Sequence, residues 1–229
     1  MKLYHGSEVI VSKPQLRLGK LNNDFGRGFY CMQDIEKAKE WACKNNKAGI
    51  VNIYELSTSK LKVLDLTKDE YNVLNWISIL LKNRTFNIDN PIALRAKEFL
   101  IKNYSIDTND FDVVIGWRAD DSYFSYAQSF IENSLSLESL TKAMELGNLG
   151  KQIVLVSDKA FKNLKYLNKI SVDKNEYYIK FISNDIKARM GYKKIKSLEN
   201  EIYVMDIIRR GNKKWVPITN VIYKMPKET

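Results

Sequence analysis

The chain is short of the residues that most often announce a mechanism. Among 229 residues there is one histidine, with two cysteines, four prolines and ten glycines. The single histidine, His5, excludes a metal centre built on several imidazoles. It also means that any serine or cysteine triad would have to close at the extreme N-terminus. Cys31 and Cys43 belong to no C-x-x-C pair and suggest no disulfide framework, so two reduced core thiols are expected. So few prolines and glycines exclude fibrous and low-complexity classes. No apolar run approaches the length of a membrane span, and Met1 to His5 opens no apolar leader segment, so a soluble cytoplasmic protein is expected, with no membrane partner.

What is present is a core and a charge. The sequence is 45% hydrophobic and 11% aromatic, enough to bury a substantial interior. Its net charge of +10 favours polyanionic partners such as nucleic acid, a dinucleotide or an acidic protein. The surplus is mostly lysine, which weakens that argument because an AT-rich genome gives the same bias.

Patterning divides the chain into short strands and helices. Lys2 to Tyr4 reads as a strand running into His5-Gly6-Ser7, and Glu8 to Val11 as a second extended piece. Asp34 is placed to cap a helix carrying Ile35, Ala38, Trp41 and Ala42 at helical spacing, ended by Gly49. Ile50–Leu56 and Leu61–Leu66 read as strands, residues 68–103 as helical with a break at Asn90-Pro91, and Asp112–Trp117 as a buried strand. Arg118 to Asp121 reads as a polar turn. Helices are expected over Tyr123–Glu132 and Leu137–Leu146, the latter capped by Ser136 and stopped by Gly147. Gln152–Ser157 is a second core strand, and Ala160 to Tyr166 a short helical piece. Residues 175–190 read as a helix stopped by Gly191, and Ile202–Ile208 and Trp215–Tyr223 as a hairpin through a basic turn from Arg209 to Lys214. The order fits an α+β domain with helices beside a split, mostly antiparallel sheet. No G-x-G-x-x-G follows the first strand, and there is no P-loop and no H-E-x-x-H.

The stretch Asp24-Phe25-Gly26-Arg27-Gly28-Phe29-Tyr30 stands out. Taken alone it is a tight turn entering a core strand, since glycine serves where backbone turns sharply or is closely approached. Its company changes the reading. Leu3-Tyr4-His5-Gly6-Ser7, then Phe25-Gly26-Arg27-Gly28-Phe29-Tyr30, then Lys151-Gln152-Ile153-Val154-Leu155-Val156-Ser157, and finally Lys162 to Leu167 resemble, in order, the signatures of ADP-ribosyltransferases of the His-Tyr-Glu class. That class includes the poly-ADP-ribose polymerases and diphtheria toxin. Trp41-Ala42, Asp112 to Gly116 and Ala119-Asp120-Asp121 extend the likeness to an uncharacterised bacterial family in this superfamily, associated with toxin–antitoxin or phage-defence loci. The resemblance covers about residues 1–167; residues 168–229 are expected to form a C-terminal extension of helix and hairpin.

The resemblance implies an ADP-ribosyltransferase-like NAD-binding domain and an NAD-dependent mono-ADP-ribosyltransferase that cleaves the nicotinamide–ribose bond. Its catalytic residues would be His5, Tyr30 and Gln152; NAD would be held by His5, Gly6, Ser7, Arg27, Gly28 and Tyr30; no metal is expected. His5 would hydrogen-bond a ribose hydroxyl, Gly6 would grip the carboxamide through its main chain, Tyr30 would stack on the nicotinamide, and Arg27 would reach the pyrophosphate. Gln152 stands where the family has glutamate. An amide binds a hydroxyl but is no general base, which suggests single transfer rather than chain elongation. Asp120, Asp121 and Glu201 are other candidates for the missing carboxylate, Glu201 because it also reads as the opening of an alternating strand. The acceptor would be a protein or nucleic acid, with a cognate antitoxin as a further partner. NAD hydrolysis and non-catalytic binding of NAD, nucleic acid or protein are the competing readings.

Overall fold

A computed structural model describes residues 1–119, 121–146, 150–193 and 201–211. It is a mixed α and β structure in which one three-stranded and one four-stranded sheet form.

The first sheet has the order β1 (Lys2–Ser7), β3 (Gly49–Leu56), β7 (Leu164–Val172), all antiparallel. The second has the order β2 (Phe29–Cys31), β6 (Lys151–Leu155), β5 (Val113–Trp117), β4 (Val63–Asp65), with only the β4–β5 pair parallel. The expected α+β class with split, mostly antiparallel sheets is therefore what forms. Strand alternation sorts the side chains. Leu3, Phe29, Cys31, Tyr54, Leu56, Val113, Ile153 and Leu155 meet in one apolar cluster. Met32, Val51 and Ile53 turn the other way and pack with Ala38, Ala42 and Cys43 from α1 (Ile35–Ala42) and its end. Asp34 caps α1, its carboxylate accepting from the main-chain N–H groups of Glu36 and Lys37. Both cysteines are buried thiols.

These strands, α1, α6 (Asp158–Lys162) and the part of α7 (Lys174–Lys193) up to Ile186 belong to one unit of the chain, made of residues 1–65, 107–118 and 150–186. The other unit is helical among its described residues: α2 (Val73–Asn83), α3 (Pro91–Tyr104), α4 (Asp121–Ile131), α5 (Leu137–Leu146) and α8 (Val204–Arg210). Asn72 and Asn90 cap α2 and α3, and Pro91 occupies the first turn of α3, where its missing N–H costs nothing. Trp76, Ile77, Leu80, Ala96, Leu100, Phe130, Leu140 and Ile207 are buried in this unit. Among the described residues no helix is long and apolar enough to cross a membrane.

Several local expectations differ from the structure. Glu8 to Val11 makes no strand; the Asn52 amide ties it down as a loop, donating to the Val9 carbonyl and accepting from Val11 N–H. Gly49 opens β3 rather than closing α1, because a Cβ there would lie 2.7 Å from the Ala42 carbonyl carbon. The helical piece expected over Ala160 to Tyr166 ends at Lys162, and β7 takes over from Leu164. Gly191 does not stop α7, which continues to Lys193. Ile202–Ile208 is not a strand: α8 occupies 204–210, with Val204, Ile207 and Ile208 buried at helical spacing and the Asp206 carboxylate accepting from Tyr203 N–H. Gly147, the strand expected over Trp215–Tyr223 and the basic tip beyond Gly211 lie outside the described residues.

Candidate functional site

The two sheets are joined by an isolated bridge. Tyr4 N–H donates to the Met32 carbonyl and Met32 N–H to the Tyr4 carbonyl, both at 2.8 Å. In an antiparallel ladder the next hydrogen-bonded pair along would be Gly6 with Tyr30. That pair does not form. The Tyr30 carbonyl accepts instead from His5 Nδ1, at 2.7 Å. β1 and β2 thus fork after one bridge, and alternation leaves Gly6 directing its N–H and C=O to the same edge as Tyr4.

The fork fixes the state of His5. A carbonyl only accepts, so Nδ1 carries the proton and Nε2 keeps a lone pair. Burial lowers the imidazole pKa, and the bond to the Tyr30 carbonyl raises it back in part, leaving a neutral ring at pH 7. Phe29 holds the ring from one side, centroid to centroid at 4.4 Å. His5 is therefore oriented as a donor already used and an acceptor available.

Residues 24–30 fold back on themselves. The Tyr30 hydroxyl donates to the Gly26 carbonyl at 2.6 Å and accepts from Phe25 N–H at 3.0 Å. Gly26 sits at φ 74°, in the left-handed region that suits glycine. A Cβ on Gly28 would come within 2.5 Å of Val154 Cγ1 and 2.9 Å of the Leu155 carbonyl oxygen, so the turn lies directly on β6. Register puts Tyr30 opposite Val154, and Gln152 two residues further along the same face of β6. There the Gln152 Nε2 donates to the Asp24 carboxylate at 3.1 Å, both residues being 5% exposed. A hydrogen bond to a charged group contributes about 1.5–3 kcal/mol.

His5, Tyr30 and Gln152 are thereby brought to one turn, by side chain to main chain in two cases and side chain to side chain in the third. The His5 and Tyr30 side chains leave opposite faces of their strands; what unites them is the Tyr30 carbonyl. Gly6 has a packing role that the sequence does not announce. A Cβ there would stand 2.2 Å from the Ala38 carbonyl oxygen and 2.9 Å from Ala42 N, so α1 needs a glycine on β1. Ser7 donates to the Val9 carbonyl and accepts from the Asn52 amide, closing the loop after β1. Arg27 is exposed on the turn.

Glu201 opens no strand; it precedes α8 in the helical unit, accepting from the Ser139 hydroxyl at 2.9 Å. Asp120 lies outside the described residues, and Asp121 begins α4 in the helical unit. Arg118, which opens the polar turn after β5, is 7% exposed, its guanidinium 4.4 Å from the centre of the Trp41 ring. Among the described residues no cluster of three or more His, Cys, Asp or Glu is arranged to hold a metal.

Residues 1–166 match the family model described as "Protein of unknown function (DUF3990)". The chain belongs to this family. No curated protein and no solved structure matches it. The matched segment contains His5, the turn at 24–30 and Gln152, and stops short of Glu201. The same segment holds two acidic residues to which the sequence reading gave no role. One is Asp24, quoted in its motif but paired with a residue 128 positions away, a contact no local spacing encodes. The other is Asp112, which accepts from Lys62 N–H at 2.9 Å and the Ser157 hydroxyl at 2.6 Å and so ties β4, β5 and the start of α6 together.

Proposed function

We propose that this protein is an NAD-dependent mono-ADP-ribosyltransferase that moves ADP-ribose to a macromolecular acceptor. The observation that carries the reading is the fork between β1 and β2. It combines a main-chain edge at Gly6, a neutral His5 with Nε2 as acceptor, and a turn anchored to both Tyr30 and Gln152. The residues fit a dinucleotide chemically. A main-chain strand edge matches the donor and acceptor of a carboxamide, an imidazole acceptor matches a ribose hydroxyl, and an amide offers hydrogen bonds without charge.

NAD supplies the glycosidic bond to nicotinamide that breaks; the acceptor's nucleophile forms the new bond to the same carbon and loses its proton. In this reading His5 and Gly6 bind and orient, the Tyr30 ring lines the nicotinamide side, and Gln152 binds a ribose hydroxyl. No residue of the cluster other than Asp24 carries a carboxylate, so the acceptor brings its own nucleophile in a reactive state. The net charge of +10 is compatible with an anionic acceptor, and the resemblance to families at toxin–antitoxin and phage-defence loci supports a toxin or defence role with a cognate inhibitor.

The test is incubation of the purified protein with radiolabelled NAD and cell lysate. Label on protein or nucleic acid, lost in His5→Ala and Gln152→Ala, is the expected outcome. Free ADP-ribose with no labelled macromolecule would reassign the protein as an NAD glycohydrolase. Absence of any NAD turnover would leave a binding module of the same fold.

A further inference from the structure

We propose that Asp24 is a positioning residue for Gln152, holding the amide by its nitrogen so that the amide oxygen is what the substrate meets. The inference rests on the transferase reading above and adds a residue to it. A carboxylate accepts and never donates, so the Asp24 oxygen 3.1 Å from Gln152 selects the NH₂ end of the amide. With both residues 5% exposed, water competes poorly for that contact. An amide held by one end presents the other in a defined direction, and the other end is the oxygen, an acceptor for a ribose hydroxyl. The same turn that carries Asp24 is closed by the Tyr30 hydroxyl on Gly26, so one loop sets two side chains of the site.

The pair also explains why an amide and not a carboxylate stands at 152. A glutamate there would face Asp24 across a hydrogen-bond distance, and two carboxylates so placed do not both ionise. Glutamine is the residue of similar length that turns this repulsion into a bond. Asp24 and Gln152 together replace the single glutamate that the resemblance leads one to expect.

The experiment compares nicotinamide release from NAD by the full-length wild type and by Asp24→Ala, Asp24→Asn, Gln152→Glu and the double variant Asp24→Asn/Gln152→Glu. Thermal unfolding and ¹⁵N detection of the Gln152 side-chain amide accompany the rates. Asp24→Ala frees the amide and is expected to lower kcat about tenfold with KM for NAD changed less, the pattern of a group acting on the reacting complex. Asp24→Asn can still accept from the amide and is expected to keep about half the activity. Gln152→Glu is expected to introduce a titrating step in the pH–rate profile, raised by the Asp24 charge. In the double variant the introduced asparagine amide donates to the introduced carboxylate, which should bring that step down toward the ordinary carboxylate range.

Wild-type kcat in Asp24→Ala overturns the proposal. So does Asp24→Asn as impaired as Asp24→Ala, which would make the charge the active feature. Coincident pH profiles for Gln152→Glu and the double variant would show that the two side chains do not interact, and overturn it as well. A wild type that never releases nicotinamide overturns the transferase reading and the role given to Asp24 together. Protection of the Gln152 amide protons, lost in Asp24→Ala, then identifies the pair as a clasp for the turn.

Discussion

Replacing Gly6 by alanine sets the packing account of this residue against the ligand account. The added methyl would stand 2.2 Å from the Ala38 carbonyl oxygen and 2.9 Å from Ala42 N. These are main-chain atoms of α1, so no side-chain rotation relieves the overlap; α1 must lift from β1 or β1 must bend. Overpacking of this kind costs about 1–3 kcal/mol, and a rigid helix backbone as the neighbour argues for about 3. For a chain of this size each kcal/mol lowers Tm by about 2–4 °C, so a fall of about 6–12 °C is expected. The assay is thermal unfolding followed by circular dichroism, without and with saturating NAD. The overlap with α1 lowers Tm in both conditions. A Tm within about 2 °C of wild type without NAD would refute it, because a contact that close cannot be relieved at so small a cost. If such a variant also failed to bind NAD, the glycine would be there for the ligand.

Other outcomes follow from the same geometry. Burial lowers the His5 pKa, so the unfolded chain binds a proton there more readily than the folded one; the stability that neutral His5 contributes is full above about pH 6.5 and declines as pH falls below it. Urea unfolding on either side of that value should show the decline, and His5→Gln should remove it. The Asp112 carboxyl is held below its usual range, first by the Ser157 hydroxyl and then by Lys62 N–H, so its contribution is present above about pH 3.8 and lost as acid protonates it. Asp112→Asn should cost about 1–3 kcal/mol at neutral pH in denaturant titration, with the difference narrowing in acid. Burial pushes the Cys31 and Cys43 thiols up, so both should react with a thiol reagent only as fast as the protein opens, and the labelling rate should rise with urea in step with unfolding.

How far the fold could be read in advance depended on whether its determinants were local. β1, β3, α1, α2 and α3 carry their own periodicity and caps, and each lies close to where that pattern puts it. α8 shows the limit: Ile202, Val204 and Ile208 alternate well enough to suggest a strand, but Ile207 beside Ile208 and the Asp206 cap belong to a helix, and burial against the helical unit decides. The glycines were legible as important and illegible as to why. Gly6 and Gly28 stand in signature positions, and both meet a neighbouring element that leaves no room for Cβ, so sequence alone could not separate a demand of the ligand from a demand of packing.

The candidate site divides in the same way. His5, Tyr30 and Gln152 are visible as types in order along the chain. What they do to one another is not, because each link passes through strand pairing: His5 to Tyr30 through the fork of β1 and β2, and Gln152 to Asp24 through the pairing of β6 with β2. Gln152 looks like a glutamate that has lost its charge. Beside a buried Asp24 it is one half of a hydrogen-bonded pair whose other half lies 128 residues away in sequence, in the turn that also holds Tyr30. On this account, restoring glutamate at 152 without removing the carboxylate at 24 impairs the site, and restoring it with asparagine at 24 does not.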